Sequence, residues 1–203
     1  MQLTFITGNR EKFEIAEATC RPLGIEFVHK TLPLDEIQGE TSEPIILHKA
    51  KTAFTSLGIP VVVSDDFWRI PGLQGFPGAY MKSINSWFTT QDWLNLTLPL
   101  SDRRIILDQS LCYFAADQQK IFTVSHMGSL LAKARGNYGN PLQKILAMPG
   151  DNGLSVAEAY DKGAVHAERD VAEGWRQLTA WLNTTYRLNE PKDKIATPLR
   201  HLK

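Results

Sequence analysis

Cysteine is scarce: Cys20 and Cys112 are the only two in 203 residues, far apart and without metal-ligand spacing. That argues against a disulfide framework and for buried thiols in a reducing compartment, so a cytoplasmic location is expected. Net charge is lacking too, with 22 basic residues balancing 22 acidic ones. No global field draws such a chain onto nucleic acid or a membrane surface, and its Lys and Arg are dispersed rather than striped. Neither nucleic acid nor membrane is therefore an expected partner, and any polyanion site must be a local cluster. The apolar run near the N-terminus is short and meets charge at Arg10, which fits neither a signal peptide nor a membrane span. Internal repeats and low-complexity tracts are absent as well.

What remains is ordinary soluble-protein material, 43% hydrophobic and 22% charged, enough for one large domain or two lobes sharing a core. Residues 3–7 predict a buried strand stopped by Gly8-Asn9, and 11–21 a helix with Phe13, Ile15, Ala16 and Cys20 along one face. Thr7-Gly8-Asn9 at a helix N-terminus suits an anion, because free N–H groups and the helix dipole point there. Lys12 in the first turn opposes that dipole, a local penalty that a bound phosphate compensates; a solvated lysine is the alternative. A second strand follows at 25–28, then a polar loop grouping Asp35, Glu36 and Glu40 around Gly39. The helix predicted over 43–57 carries His48, Lys49 and Lys51, and packs through Leu47, Ala50 and Phe54. Three valines, 61–63, form a strand opening onto Asp65 and Asp66. Adjacent carboxylates at the mouth of a buried strand require a nearby cation. Gly and Pro punctuate the loop from there to Tyr80 and Lys82.

An aromatic amphipathic helix over 83–96 places Trp87, Phe88 and Trp93 in a lobe's core or on a dimer surface. Segments 103–116 and 120–131 pair as a long antiparallel hairpin turning at Gln118-Gln119. A Gly/Asn-rich loop, 134–141, leads into a short helix to about residue 147. After a turn at 149–153, a closing helix over 165–182 carries Val171, Trp175, Leu178 and Leu182 on one face. The order predicts an α/β fold with two lobes: a central mixed sheet flanked by helices, and the hairpin in the second lobe. One domain is expected over 1–186, with a loose basic tail over 187–203.

Several of these pieces, in this order, resemble the inosine/xanthosine triphosphate pyrophosphatase family. Thr7-Gly8-Asn9 with Lys12 is similar to its TGN-x-x-K opening, and Glu36 with Gln38-Gly39-Glu40 to its acidic loop. Lys49-Ala50, four residues before Phe54, is similar to its lysine-bearing helix. Asp65-Asp66 matches its acidic pair, and Gly75-Phe76-Pro77-Gly78-Ala79-Tyr80 with Lys82 its G-x-PG-x-Y loop. The resemblance is strong over residues 1–85 and topological over 86–186. It implies Mg²⁺-dependent hydrolysis of a non-canonical or modified purine nucleoside triphosphate to monophosphate and pyrophosphate, with water attacking the α-phosphorus. It further implies that Lys12, Lys49 and Lys82 bind phosphates beside Thr7, Gly8 and Asn9. Lys49 and Asp66 would be catalytic, Asp66 orienting or deprotonating the water, with Glu36 and Asp65 on the metal. A homodimer is implied too.

The departures lie elsewhere. Phe67-Trp68-Arg69 stands where the family has small residues, placing two rings and a guanidinium beside the acidic pair. Asn137-Tyr138-Gly139-Asn140-Pro141 replaces F-G-[WY]-D-P, leaving Tyr138 and Asn140 as base-pocket candidates. The S-H-R triplet is missing; Lys162 aligns just before it, and His166 and Arg169 share a helical face at altered spacing. The changes put the family's 6-keto purine preference in question. The competing reading is a nucleotide-binding or scaffold homologue without turnover, against which the retained lysines and acids argue.

Overall fold

Which helix covers which face of the sheet is decided by residue parity. The computed structural model describes residues 1–35, 37–163 and 171–186. Its strands are β1 (Gln2–Ile6), β2 (Glu26–Lys30), β3 (Val61–Arg69), β4 (Pro77–Gly78), β5 (Arg104–Phe114), β6 (Gln119–Leu130) and β7 (Leu146–Ala147). Its helices are α1 (Arg10–Cys20), α2 (Ser42–Leu57), α3 (Met81–Trp87), α4 (Thr90–Thr97), α5 (Val156–Asp161) and α6 (Glu173–Tyr186). One curled mixed sheet runs in the order β2-β1-β3-β5-β6-β7, with β4 added beside β3. The first three strands are parallel and the rest antiparallel.

Successive side chains of a strand leave opposite faces. Leu3, Phe5 and Val62 therefore pack against Phe13, Ala16 and Cys20 of α1 and against Trp175, Leu178 and Leu182 of α6. Ile6, Val61 and Val63 leave the other face and pack against Ile46, Ala50 and Ala53 of α2. A third cluster, around Ile70, Ile84, Trp93, Ile105, Leu107 and Val156, is the core of the second lobe. The long hairpin belongs to both lobes: Leu111 and Tyr113 of β5 join the first core and Ile105 and Leu107 the second. Its turn closes one step earlier than the sequence suggests, with the Ala115 N–H on the Gln118 carbonyl at 2.8 Å.

Three local differences matter. The strand begun by the valines does not stop at the acidic pair but continues to Arg69, because β5 pairs it along its whole length while β1 leaves it after Val63. The single aromatic helix over 83–96 is two helices, restarted by a capping box in which Asp92 N–H donates to Thr89 Oγ1 and Thr89 N–H to Asp92 Oδ2. Residues 142–147 form a 3₁₀ turn and the short β7 rather than a helix. The closing helix is present as α6, with Trp175, Leu178 and Leu182 buried and Val171 lying before it. The N-terminal part expected of that helix, 165–170, and the expected basic tail, 187–203, lie outside the described residues. Among the described residues no helix is long and apolar enough to cross a membrane.

Candidate active site

The site opens where β1 ends and β3 goes on. Parallel strands in an α/β sheet leave a crevice beyond their carboxyl ends, and loops and helix N-termini gather there. Here the turn after β1 is held by its own side chains: Asn9 N–H donates to Thr7 Oγ1 at 3.0 Å, and Lys12 N–H donates to Asn9 Oδ1 at 3.2 Å. Asn9 thus caps α1 in extended conformation, as its position predicts. The Thr7 carbonyl is taken from behind by His29 Nε2 at 2.8 Å and Thr31 Oγ1 at 3.2 Å. Gly8 does not use the left-handed region, and a Cβ there would meet nothing within 4 Å. The fold itself does not demand glycine at this point; the space beside it is open.

A cavity of about 910 Å³ lies over this turn, lined by Thr7, Gly8, Asn9, Lys12, Asp35, Lys49, Asp65, Asp66 and Lys82 among others. Every phosphate-side residue picked from the sequence that the structure describes is therefore in one place. Glu36 lies outside the described residues.

The acidic pair is arranged differently from a pair of charges sharing one partner. Asp65 and Asp66 are neighbours within β3, so their side chains leave opposite faces. Asp66 meets Lys12 of α1, Nζ to Oδ2 2.9 Å. Asp65 meets Lys49 of α2, Nζ to Oδ1 3.4 Å, and the same ammonium donates to the Ser64 carbonyl at 3.2 Å. Each carboxylate thus has its own lysine from the helix on its own side. Burial nevertheless pushes the Asp65 carboxyl above its ordinary range, against the pull of Lys49 and Lys12. Two positive neighbours do not fully offset its desolvation.

Phe67-Trp68-Arg69 is resolved by the same alternation. Phe67 is buried, and a Cβ on Gly78 would come within 3.3 Å of its ring. Arg69 is not among the residues lining the larger cavity: its Nε donates to Asp108 Oδ2 at 2.8 Å, and Asp108 also accepts from Ser125 Oγ. Trp68, on the face of Ser64 and Asp66, lines a second cavity of about 200 Å³ that also takes in Asn9, Lys12, Asp66, Gln109, Leu107, Gln143, Tyr160 and Trp175. This cavity shares Asn9, Lys12, Ser64 and Asp66 with the larger one.

Of the base-pocket candidates, Tyr138 is half exposed and stacks on Tyr160 at 4.3 Å with rings 14° apart, so Tyr160 is the ring that reaches the cavity wall. Asn140 is tied to Gln143, which lines the cavity in its stead. Lys162 is exposed at the end of α5 and is not among the lining residues. His166 and Arg169 lie outside the described residues. Gln109, Gln143 and Tyr160 escaped the sequence reading. Gln109 is the cross-strand partner of Asp66, a relation set by β3–β5 register. Tyr160 was within reach, because Ser155-Val156-Ala157-Glu158 is a capping box announcing α5.

Comparison with known proteins matches the Ham1 family over residues 3–166. The dITP/XTP pyrophosphatase of Methanosarcina acetivorans is 34% identical over 173 residues, 85% of this chain and 94% of that protein. The inosine triphosphate pyrophosphatase of Fusarium vanettenii is 32% identical over 185 residues, 89% of this chain and 95% of that one. Among solved structures, a HAM1 protein from Coxiella burnetii superposes with a TM-score of 0.71 at 19% identity, covering 91% of this chain and 99% of its own. That likeness establishes the α/β fold with its curled sheet and long hairpin.

Proposed function

This chain belongs to the Ham1 family, and we propose that it hydrolyses a non-canonical or modified purine nucleoside triphosphate to the monophosphate and pyrophosphate. The observation that carries this reading is a single cavity bordered by Lys12, Lys49 and Lys82, with Asp65 and Asp66 turned to either side of β3. The names of the relatives, dITP/XTP and inosine triphosphate pyrophosphatases, supply the reaction class.

The roles follow from position. Thr7, Gly8 and Asn9 present the N-terminus of α1 to phosphate oxygens, which approach over the open side of Gly8. Lys12, Lys49 and Lys82 neutralise the polyphosphate, and Lys49 and Lys82 receive the charge that develops on the leaving pyrophosphate. Asp66 takes a proton from the attacking water. The water oxygen bonds to the α-phosphorus as the bond to the bridging oxygen of the pyrophosphate breaks, and the electron pair leaves with that oxygen.

The donor set fits Mg²⁺. Asp65 is an oxygen ligand whose charge is disfavoured by burial and incompletely offset by lysines, and Asp35 lines the same cavity. Mg²⁺ takes one or two carboxylates and completes its shell with phosphate oxygens and water, so Asp65, with Asp35 and the neighbouring Glu36, would hold it. Bound there, the ion adds positive charge against the triphosphate.

The test is pyrophosphate release from a panel of triphosphates that includes inosine, xanthosine and modified bases. Release that requires Mg²⁺ and is lost in Asp66→Asn is expected. No release from any member of the panel would overturn the proposal. The reading includes a homodimer, supported by Trp87, 70% exposed on α3, whereas Trp93 is fully buried and Phe88 packs on it. Mass in solution by light scattering distinguishes dimer from monomer.

A further inference from the structure

In the smaller cavity beside Asp66, the Gln143 side-chain amide has its orientation settled by a backbone donor. Asn140 N–H donates to Gln143 Oε1 at 2.8 Å, and Gln143 N–H donates to Asn140 Oδ1 at 3.2 Å. A backbone N–H can only donate, so the oxygen of the Gln143 amide must face the loop and its Nε2 must face away from it. Gly139 completes this seat. It lies at φ 76°, and a Cβ there would clash with Gln143 Oε1. Gln143 lines the cavity, and among the described residues Nε2 has no hydrogen-bond partner.

The rest of the cavity joins an apolar wall to polar side chains, Gln109, Ser110 and Glu11 among them. Trp68 lies two residues beyond Asp66 on the same face of β3, and two residues of strand span roughly 7 Å. Leu107, Leu111, Val124 and Ile15 extend the apolar wall. A nucleotide whose α-phosphorus stands at Asp66 therefore extends its base along Trp68 towards Gln143.

We propose that Gln143 determines base specificity, its Nε2 donating to an acceptor on the base edge such as the keto oxygen of an oxopurine. The same donor meets the exocyclic amino group of adenine donor against donor. The inference rests on the nucleotide reading of the site, but not on turnover. It assigns to this chain a base-reading group that comes from neither Tyr138 nor Asn140, the positions to which its resemblance pointed.

The test is calorimetric binding of inosine and adenosine monophosphates to wild-type protein, Gln143→Glu and Gln143→Leu. Glutamate keeps an oxygen for the Asn140 N–H and turns the free end from donor to acceptor, whereas leucine removes both. Wild type is expected to bind the inosine nucleotide about 10- to 100-fold more tightly, the worth of one unmet buried donor pairing. Gln143→Glu abolishes or inverts the ratio, and Gln143→Leu abolishes it without inversion, with far-UV circular dichroism unchanged in both. A wild type without preference overturns the proposal. So does a ratio that survives Gln143→Glu, including the case where both nucleotides are weakened equally. If the ratio behaves as expected while no triphosphate yields pyrophosphate, the hydrolytic reading fails and the assignment of Gln143 stands.

Discussion

Asp65 shows how a strand's pleat can keep two adjacent carboxylates apart and still leave one of them strained. Its partner Lys49 is at 3.4 Å, yet burial holds its pKa above the ordinary carboxylate value. The sign of the consequence follows from linkage. Below about pH 4, the unfolded value, both states carry the proton and the group is neutral to stability. As pH rises through the raised folded value, the unfolded chain gains more by ionising, so stability is lost. Asp65→Asn is therefore expected to be more stable than wild type at pH 7 in the absence of divalent ions, the two converging near pH 4. Urea unfolding across that range checks it, and equal stability at pH 7 would count against it. If Asp65 holds the metal as proposed, the same variant is also expected to lose metal-dependent pyrophosphate release, which separates a residue kept for function from one kept for the fold. Asp66 has a different expected signature. Asp66→Asn should lower kcat by about 10²- to 10⁴-fold, the usual contribution of a general base, while nucleotide binding measured by calorimetry persists. Weakening of binding to the same degree as kcat would make Asp66 a binding group instead.

At the scale of elements, the site depends on how α1 and α6 are fastened to the sheet. Trp175 sits edge-on to Phe5 at 4.8 Å and to Phe27 at 5.4 Å, and it also lines the smaller cavity. Cys20 of α1 accepts from Thr179 of α6 at 3.3 Å, and burial pushes its thiol up to about 11. Trp175→Ala is expected to cost about 3–5 kcal/mol in denaturant unfolding, as large-to-small core changes do. A loss below about 1 kcal/mol would mean that α6 is not part of the first core. Sequence periodicity was sufficient for α1 and α6, whose apolar faces are buried, but not for α2, which buries Ile45, Ile46, Ala50 and Ala53 and leaves the expected Leu47 and Phe54 half-buried. It failed at β3, because Ser64 and Asp66 line a cavity rather than a core, so their polarity mimicked a strand end. It failed again at residues 88–89, where overall amphipathicity outweighed the Thr89–Asp92 capping box that restarts the chain as α4.

For the whole molecule, a chain without net charge concentrates its cations instead. Lys12, Lys49 and Lys82 come from α1, α2 and α3, separated in sequence and joined by the parallel β1–β3 pairing that opens one crevice. Thr7, Gly8, Asn9 and Lys12 were legible because they lie where β1 ends and α1 starts, where local spacing reports position. The smaller cavity was not, since Trp68, Gln109, Gln143 and Tyr160 meet through β-ladder register and the packing of α5, which short-range patterns do not encode. In the proposed reaction, water beside Asp66 attacks the α-phosphorus. Hydrolysis of inosine triphosphate in ¹⁸O-labelled water, with mass analysis of both products, tests this step. One labelled oxygen in the monophosphate and unlabelled pyrophosphate are expected; label in the pyrophosphate, or release of inorganic phosphate in its place, rules the step out.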